Sequence, residues 1–302
     1  MSEQDEGLAI RRILIALDAS HHSLAALGAA ARLASSLDAE LHGLFVEDIN
    51  LLRVARLPMA RELQFPFAAH APMSPERMRR QLRAQASQAR RALASICRRQ
   101  QIEWTFQVLR GGVSSKVLEE ASKADLLCLG RISRPVIRRP GLGSTARAAA
   151  MRAQHSVLLI SHGARIHPPV VLAYDGSSDA EGALLLASRL TQELGGFLSI
   201  LVPADASRSS EEIQQEIARR LDGEKLMIHY RQLSGAGVIP LISALQTGGC
   251  GILVLSKATL PPDDVGELLD AVGCPVLLVQ WRRRPEPVPG KPKALAPRQG
   301  GP

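Results

Sequence analysis

The chain is written twice, and this constrains its fold more than any other feature. "RILIALDAS" at 12–20 returns as "PVVLAYDGS" at 169–177, and "LHGLFV" at 41–46 returns as "LSILVP" at 198–203. Between them stand the Ala/Leu-rich segments "LAALGAAARLASSLDAE" and "AEGALLLASRLTQELGG". Later, "ADLLCLGR" at 124–131 answers to "GCGILVLSK" at 249–257, and "QHSVLLIS" at 154–161 to "GCPVLLVQ" at 273–280. The order is the same in both halves, so the chain is a tandem repeat.

Each half alternates short apolar runs with longer helical patterns. Leu24, Leu27, Ala31, Ala34 and Leu37 recur at three- and four-residue steps, which makes one apolar stripe on a helix. The short runs are apolar nearly throughout, as strands buried on both faces must be. Strand, helix, strand in this rhythm predicts right-handed βαβ units and a doubly wound α/β sheet in each half. Hydrophobic residues make up 46% of the chain but aromatics only 3%. The cores must therefore be built from Ala, Leu, Val and Ile, which fits buried parallel sheets flanked by helices.

Residues 162–169 ("HGARIHPP") read as a linker, which divides the chain into domains at 9–162 and 168–283. The stretch 284–302 is rich in Pro, Gly and basic residues with almost nothing to bury, and is expected to be a disordered tail. The first half carries an insertion after its second strand, where prolines predict an irregular excursion over 50–75. A basic helix should follow from Pro75 to about Arg99. Ser74 can cap it, Pro75 fits its first position, and Glu76 suits its positive end. Its arginines read first as a solvated face, and second as a surface for an acidic protein partner.

The formal net charge is +8, but the excess is concentrated in this helix, in Arg131–Arg139 and in the tail. With so few aromatics to stack on bases, nucleic-acid binding is disfavoured. Cys97, Cys128, Cys250 and Cys274 are far apart with no C-x-x-C spacing, so neither a metal centre nor a disulfide framework is expected. The acidic N-terminus has no signal-like apolar core, and no apolar run is long enough to span a membrane, which predicts a cytoplasmic protein. No catalytic set is legible: there is no Walker loop, and the histidines stand away from any nucleophile motif.

In a doubly wound sheet, ligands sit beyond the carboxyl ends of the strands, where the strand order switches. Asp18, Val46 and Gly130 end the first, second and fourth strands of the first half and should meet there. Gly130 permits a sharp turn and close approach of a ligand. Gly143-Ser144 then opens the helix "STARAAAMRAQ", whose free N–H groups and dipole favour phosphate, with the Ser144 and Thr145 hydroxyls as further donors. Taken alone, this loop reads equally well as a helix capped by Ser144.

The tandem halves, the strand ends "ALDAS" and "AYDGS", the second strand "LHGLFVEDIN" and "ADLLCLGR" resemble the universal stress protein family. The resemblance spans the chain apart from the tail and the 50–75 excursion. It implies two Rossmann-like domains of the adenine nucleotide alpha hydrolase-like kind. Each would be a five-stranded parallel sheet, and the two would pack through their last strands as a pseudo-dimer within one chain or exchange between chains of a homodimer. ATP-binding members carry Gly-x2-Gly-x9-Gly-Ser/Thr. Here that frame falls on Gly130, Ser133, Gly143 and Ser144, with Ser133 in place of the middle glycine. If that position needs positive φ, serine costs about 1 kcal/mol. Arg131, Arg134, Arg138 and Arg139 read equally as groups that offset polyphosphate charge and as ordinary surface charge. The resemblance further implies that Asp18 contacts the ribose or adenine and that the backbones of Ala16, Leu17 and Val46 border the base. A turn-forming role for Asp18, through an Asx hydrogen bond, is the rival reading.

The second half keeps Asp175 and Gly176 but carries "LSKATLPPDDVGELLDAVG" after its fourth strand. Ser256 replaces the leading glycine, and acidic residues crowd the next helix start, where they satisfy its dipole and repel phosphate. The expected function is therefore a stress-response binding module with ATP or another adenine nucleotide in the N-terminal half only. The alternatives are an adaptor that binds no nucleotide and a weak ATPase.

Overall fold

The computed structural model of the protein describes residues 10–57, 61–64, 69–72, 74–131, 142–161, 163–204, 209–235 and 237–280. Ser133 and the tail from 281 onward lie outside these residues. In the first half β1 (Arg12–Ala16), α1 (His21–Leu37) and β2 (Glu40–Asp48) lead into α2 (Ile49–Val54), β3 (Arg61–Gln64) and β4 (Ala69–Pro72). Then come α3 (Pro75–Gln100), β5 (Trp104–Gly111), α4 (Val113–Ala121), β6 (Leu126–Gly130), α5 (Ser144–Arg152) and β7 (Ser156–Ile160). The second half runs β8 (Val170–Ala173), α6 (Ala180–Leu194), β9 (Phe197–Val202), α7 (Ser210–Arg220), β10 (Met227–Gln232), α8 (Val238–Gly248), β11 (Ile252–Ser256), α9 (Pro262–Ala271) and β12 (Val276–Val279).

The helix boundaries follow local chemistry. Ser20 caps α1 by accepting a hydrogen bond from the Ser23 N–H, and Asp38 ends it in the left-handed conformation at φ 52°. Ser74 caps α3 in the same way, with Pro75 and Glu76 in its first turn. Met78, Leu82, Ala86, Ala89, Leu93 and Cys97 then bury one stripe of α3, spaced as a helix packed on a sheet requires. The excursion before α3 is more regular than its prolines suggest. It contains the short helix α2, and β3 and β4 pair antiparallel with Arg61 opposite Pro72.

The main sheet has ten strands in the order β10-β9-β8-β11-β12-β7-β6-β1-β2-β5. Each half contributes five parallel strands, with its first strand beside its fourth. At the centre β7 pairs antiparallel with β12, setting Leu159 against Val276, Leu158 against Leu277 and Val157 against Leu278. The last strand of one repeat thus binds the last strand of the other, and the expected pseudo-dimer closes within one chain.

Alternation along the strands divides the interior into two cores, one on each face of the sheet. Ile13, Ile15, Cys128, Leu158, Ile160, Leu277 and Val279 pack with α1, α3, α6 and α7. Leu14, Leu127, Val157, Leu159, Val276 and Leu278 pack with α4, α5, α8 and α9. Both cores cross the β7–β12 seam without a break. Each fully buried Leu or Val there contributes about 1.5–3 kcal/mol, so the seam is part of the core.

Candidate functional site

The first and fourth strands of each half are neighbours, so the order switch falls between β1 and β6, and between β8 and β11. In the first half β1 delivers Ala16, Leu17 and Asp18 to this point. Leu17 is buried, and its N–H donates to the Leu44 carbonyl at 2.8 Å, which ties the end of β1 to β2. Val46, half-buried, lies farther along β2 beside Leu109 of β5.

Asp18 is committed in part to its own turn. Its Oδ1 accepts from the Ser20 N–H at 2.9 Å, while its N–H donates to the Ser23 hydroxyl at 3.3 Å. Among the described residues, Oδ2 accepts no hydrogen bond. This Asx turn forces Ala19 into the left-handed region at φ 59°. The second half repeats the turn: Asp175 Oδ1 accepts from the Ser177 N–H at 2.9 Å, with Gly176 at φ 76°. The rival, structural reading of Asp18 is thus realised, with one carboxylate oxygen left over.

Gly130 ends β6 against the first turn of α1. A Cβ added there would lie 3.2 Å from the His22 carbonyl oxygen and 3.3 Å from its carbon, so any side chain there would press on the first turn of α1. The loop that follows is pinned at its ends. The Gly143 N–H donates to the Arg131 carbonyl at 2.8 Å, and α5 begins directly afterwards. No side chain caps α5 and no acidic residue occupies its first turn. Ser144 is exposed. Thr145 shares a hydrogen bond of 3.1 Å with the Ser114 hydroxyl of α4.

Ser114 was not anticipated from the sequence. The repeat held no signal for it: Gly112-Val113 and Gly237-Val238 open the equivalent helices α4 and α8, but Ile239 stands where Ser114 does.

The Arg131 side chain departs from its expected part. Its guanidinium is buried and turned to the seam, where Nη1 donates to the Ser161 hydroxyl at 2.7 Å and to the Val272 carbonyl at 2.6 Å. Burial pulls its pKa down, against the charge of nearby Asp270. Asp270 also accepts from the Leu142 N–H at 3.1 Å. Residue 131 belongs to the loop through its backbone, and its charge serves the contact between halves.

In the second half the equivalent region is closed. Only residues 257–261 separate β11 from α9. The buried Ser256 hydroxyl accepts from the Ala258 N–H at 3.2 Å, and the Thr259 N–H turns back onto the Ser256 carbonyl at 3.2 Å. Pro262, without an N–H, opens α9, and Asp263 and Asp264 fill its first turn. Proline removes a phosphate donor and the carboxylates repel an anion.

Comparison with known proteins agrees with this architecture. The profile of the universal stress protein family matches residues 9–161, and the chain belongs to that family. Among solved structures, a universal stress protein from Archaeoglobus fulgidus superposes with a TM-score of 0.68 at 14% identity, covering 89% of this chain and 98% of its own. A protein of unknown function from Pseudomonas aeruginosa gives a TM-score of 0.60 at 15% identity, covering 91% of this chain and 94% of its own. A putative universal stress protein from the same organism gives 0.59 at 15% identity, with the same coverages. At such identities these likenesses establish the fold. Comparison with curated proteins returns no match. Among the described residues no helix is long and apolar enough to cross a membrane, and no group of three or more His, Cys, Asp or Glu is placed to hold a metal ion.

Proposed function

We propose that this protein is a cytoplasmic stress-response module of two domains, 9–162 and 168–283, that binds ATP or a related adenine nucleotide in its N-terminal half alone. The observation that carries the reading is the contrast between the two fourth-strand exits. One has a glycine against α1, a long loop and an uncapped, acid-free helix start; the other has a five-residue loop, a proline and two aspartates.

In this reading the N–H groups at the start of α5, with the Ser144 and Thr145 hydroxyls, hold phosphate oxygens. Gly130 and Gly143 let the backbone approach them. The free Oδ2 of Asp18 faces the sugar, and the backbones of Ala16, Leu17 and Val46 border the base. Ser133, at the middle-glycine position of the sequence frame, lies outside the described residues. The Arg131 guanidinium is not among the ligands.

Isothermal titration of the full chain with ATP tests this. A measurable heat that is lost in Gly143→Asp, with an unchanged melting curve, is expected. No heat and no thermal shift at millimolar ATP would overturn it. A second reading rests on α3, where Arg80, Arg83, Arg90 and Arg91 are all exposed. There the protein is an adaptor for an acidic protein partner, and capture of that partner fails on charge reversal of Arg80 and Arg83 yet survives Gly143→Asp.

A further inference from the structure

Arg131, which follows β6, and Leu142, which leads into α5, are both held by the end of α9 in the other repeat. Arg131 Nη1 donates to the Val272 carbonyl at 2.6 Å, and the Leu142 N–H donates to Asp270 Oδ1 at 3.1 Å. Farther along, α9 runs beside α5, where a Cβ added at Gly266 would meet Arg147 Nη1 at 3.5 Å.

The Leu142–Asp270 contact has no counterpart on the other side of the seam. The pairing of β7 with β12 matches Leu158 to Leu277. Counted back from there, Met151 takes the place of Asp270 and Pro261 that of Leu142. Methionine offers no carboxylate and proline no N–H, so both partners are missing. The one-sided contact falls on the repeat whose helix start has neither a side-chain cap nor an acidic residue.

Nothing within α9 favours a carboxylate at 270. The residue stands in the last turn, where unpaired carbonyls and the negative end of the dipole oppose it. No basic residue shares that turn. The compensation comes from the first repeat, as the nearby charge of Arg131 and the N–H of Leu142.

Counting donors shows what this does to α5. The Leu142 N–H is taken by Asp270, and the Gly143 N–H by the Arg131 carbonyl at 2.8 Å. Arg147 donates to the Gly143 carbonyl and so begins the helical ladder. Between them stand Ser144, Thr145 and Ala146, whose N–H groups have no acceptor within the helix. Asp270 thus fixes the peptide that leads into this run of free donors.

We propose that Asp270 is a positioning residue for the α5 site. The closed second repeat holds the start of α5 in its binding geometry, so ligand affinity in the first repeat depends on a side chain of the second. This inference rests on the adenine-nucleotide reading given above. By linkage, a nucleotide bound at α5 strengthens the Leu142–Asp270 contact by the same factor.

The full chain, Asp270→Ala and Asp270→Asn are each titrated with ATP by calorimetry. Asp270 is exposed, so neither change opens a cavity. Asparagine keeps the acceptor oxygen, and alanine removes it. Affinity should weaken about tenfold in Asp270→Ala and stay within about twofold of wild type in Asp270→Asn. Hydrogen exchange read by mass spectrometry gives a second measure. Peptides spanning residue 142 should exchange faster in unliganded Asp270→Ala than in wild type, and ATP should slow them in wild type. ATP heat that is unchanged or stronger in Asp270→Ala would overturn this inference alone. No heat in wild type would overturn the nucleotide reading, and this inference with it. If a variant fails to fold, the wild-type exchange decides: the same rate at residue 142 with and without bound ATP refutes the coupling.

Discussion

Arg131 and Lys257 occupy the same position of the two repeats, and each reaches across the seam to the carbonyl that ends the other repeat's last helix. Arg131 Nη1 lies 2.6 Å from the Val272 carbonyl, which ends α9, and Lys257 Nζ lies 2.8 Å from the Ala153 carbonyl, which ends α5. A cation at a helix C-terminus meets unpaired carbonyls and the negative end of the dipole. The two contacts form a pseudo-symmetric latch over the antiparallel strands β7 and β12.

The arginine side of this latch should be costly to remove. Arg131→Ala strands the Val272 carbonyl and leaves Asp270 without its neighbouring charge. A loss of about 2–4 kcal/mol in unfolding free energy is expected from urea titration. A change within about 0.5 kcal/mol, the size of an ordinary surface substitution, would show that the latch is incidental.

The lysine side should appear as a pH dependence. Burial lowers the Lys257 pKa to about 8 from an ordinary value of 10.5. Between these values the unfolded chain holds a proton that the folded chain has released. Stability from this group therefore rises with pH from about 8 to 10.5, and the penalty of burying the charge is fully present below 8. Cys97 and Cys128, with raised values, act in the opposite direction as pH rises through the thiol range, but they are common to both proteins. Urea titrations at several pH values should show wild type gaining on Lys257→Met across this window; parallel curves would contradict the assignment.

The paired Asx turns give a third expectation. Ala19 adopts at φ 59° a conformation that the second repeat assigns to Gly176 at φ 76°. Ala19→Gly should stabilise the fold by about 0.5–1 kcal/mol, because relief of left-handed strain exceeds the added unfolded-state entropy. Gly176→Ala should cost about 1 kcal/mol. Thermal melts of both variants check the signs, which should be opposite.

Gly130 connects the fold to the proposed ligand. Gly130→Val would press a side chain on the His22 carbonyl, which already stands 3.2 Å from an added Cβ. Displacing the first turn of α1 should cost about 1–3 kcal/mol. It should also weaken ATP binding at least about tenfold, or ~1.4 kcal/mol. The equivalent residue in the closed half is already a serine, so Ser256→Ala should leave ATP titration unchanged.

Much of this architecture was legible in the sequence because it is encoded locally. Ser74-Pro75-Glu76 marks the start of α3, and the helix begins at Pro75. The apolar runs at 126–130 and 252–256 read as strands buried on both faces, and both are. The prolines of the 50–75 excursion point to irregular structure because they mask a short helix and a pair of four-residue strands. Within the candidate site, the glycines at 130 and 143 could be found by spacing, but Ser114 could not, since its partner Thr145 stands 31 residues away.

Arg131 shows the limit most clearly. Beside Gly130 it reads as a phosphate ligand, yet its carbonyl partner is 141 residues distant and reaches it only through the antiparallel pairing of β7 with β12. By itself the sequence determined that the chain folds as two copies of one α/β unit, and which copy kept glycines at 130 and 143. Those are properties of periodicity and of backbone sterics, which act over a few residues. Only the tertiary structure decided that the copies share one sheet and that Arg131 and Lys257 close the seam. Side-chain partners across a seam depend on strand order and register, and these are set by burial summed over both halves.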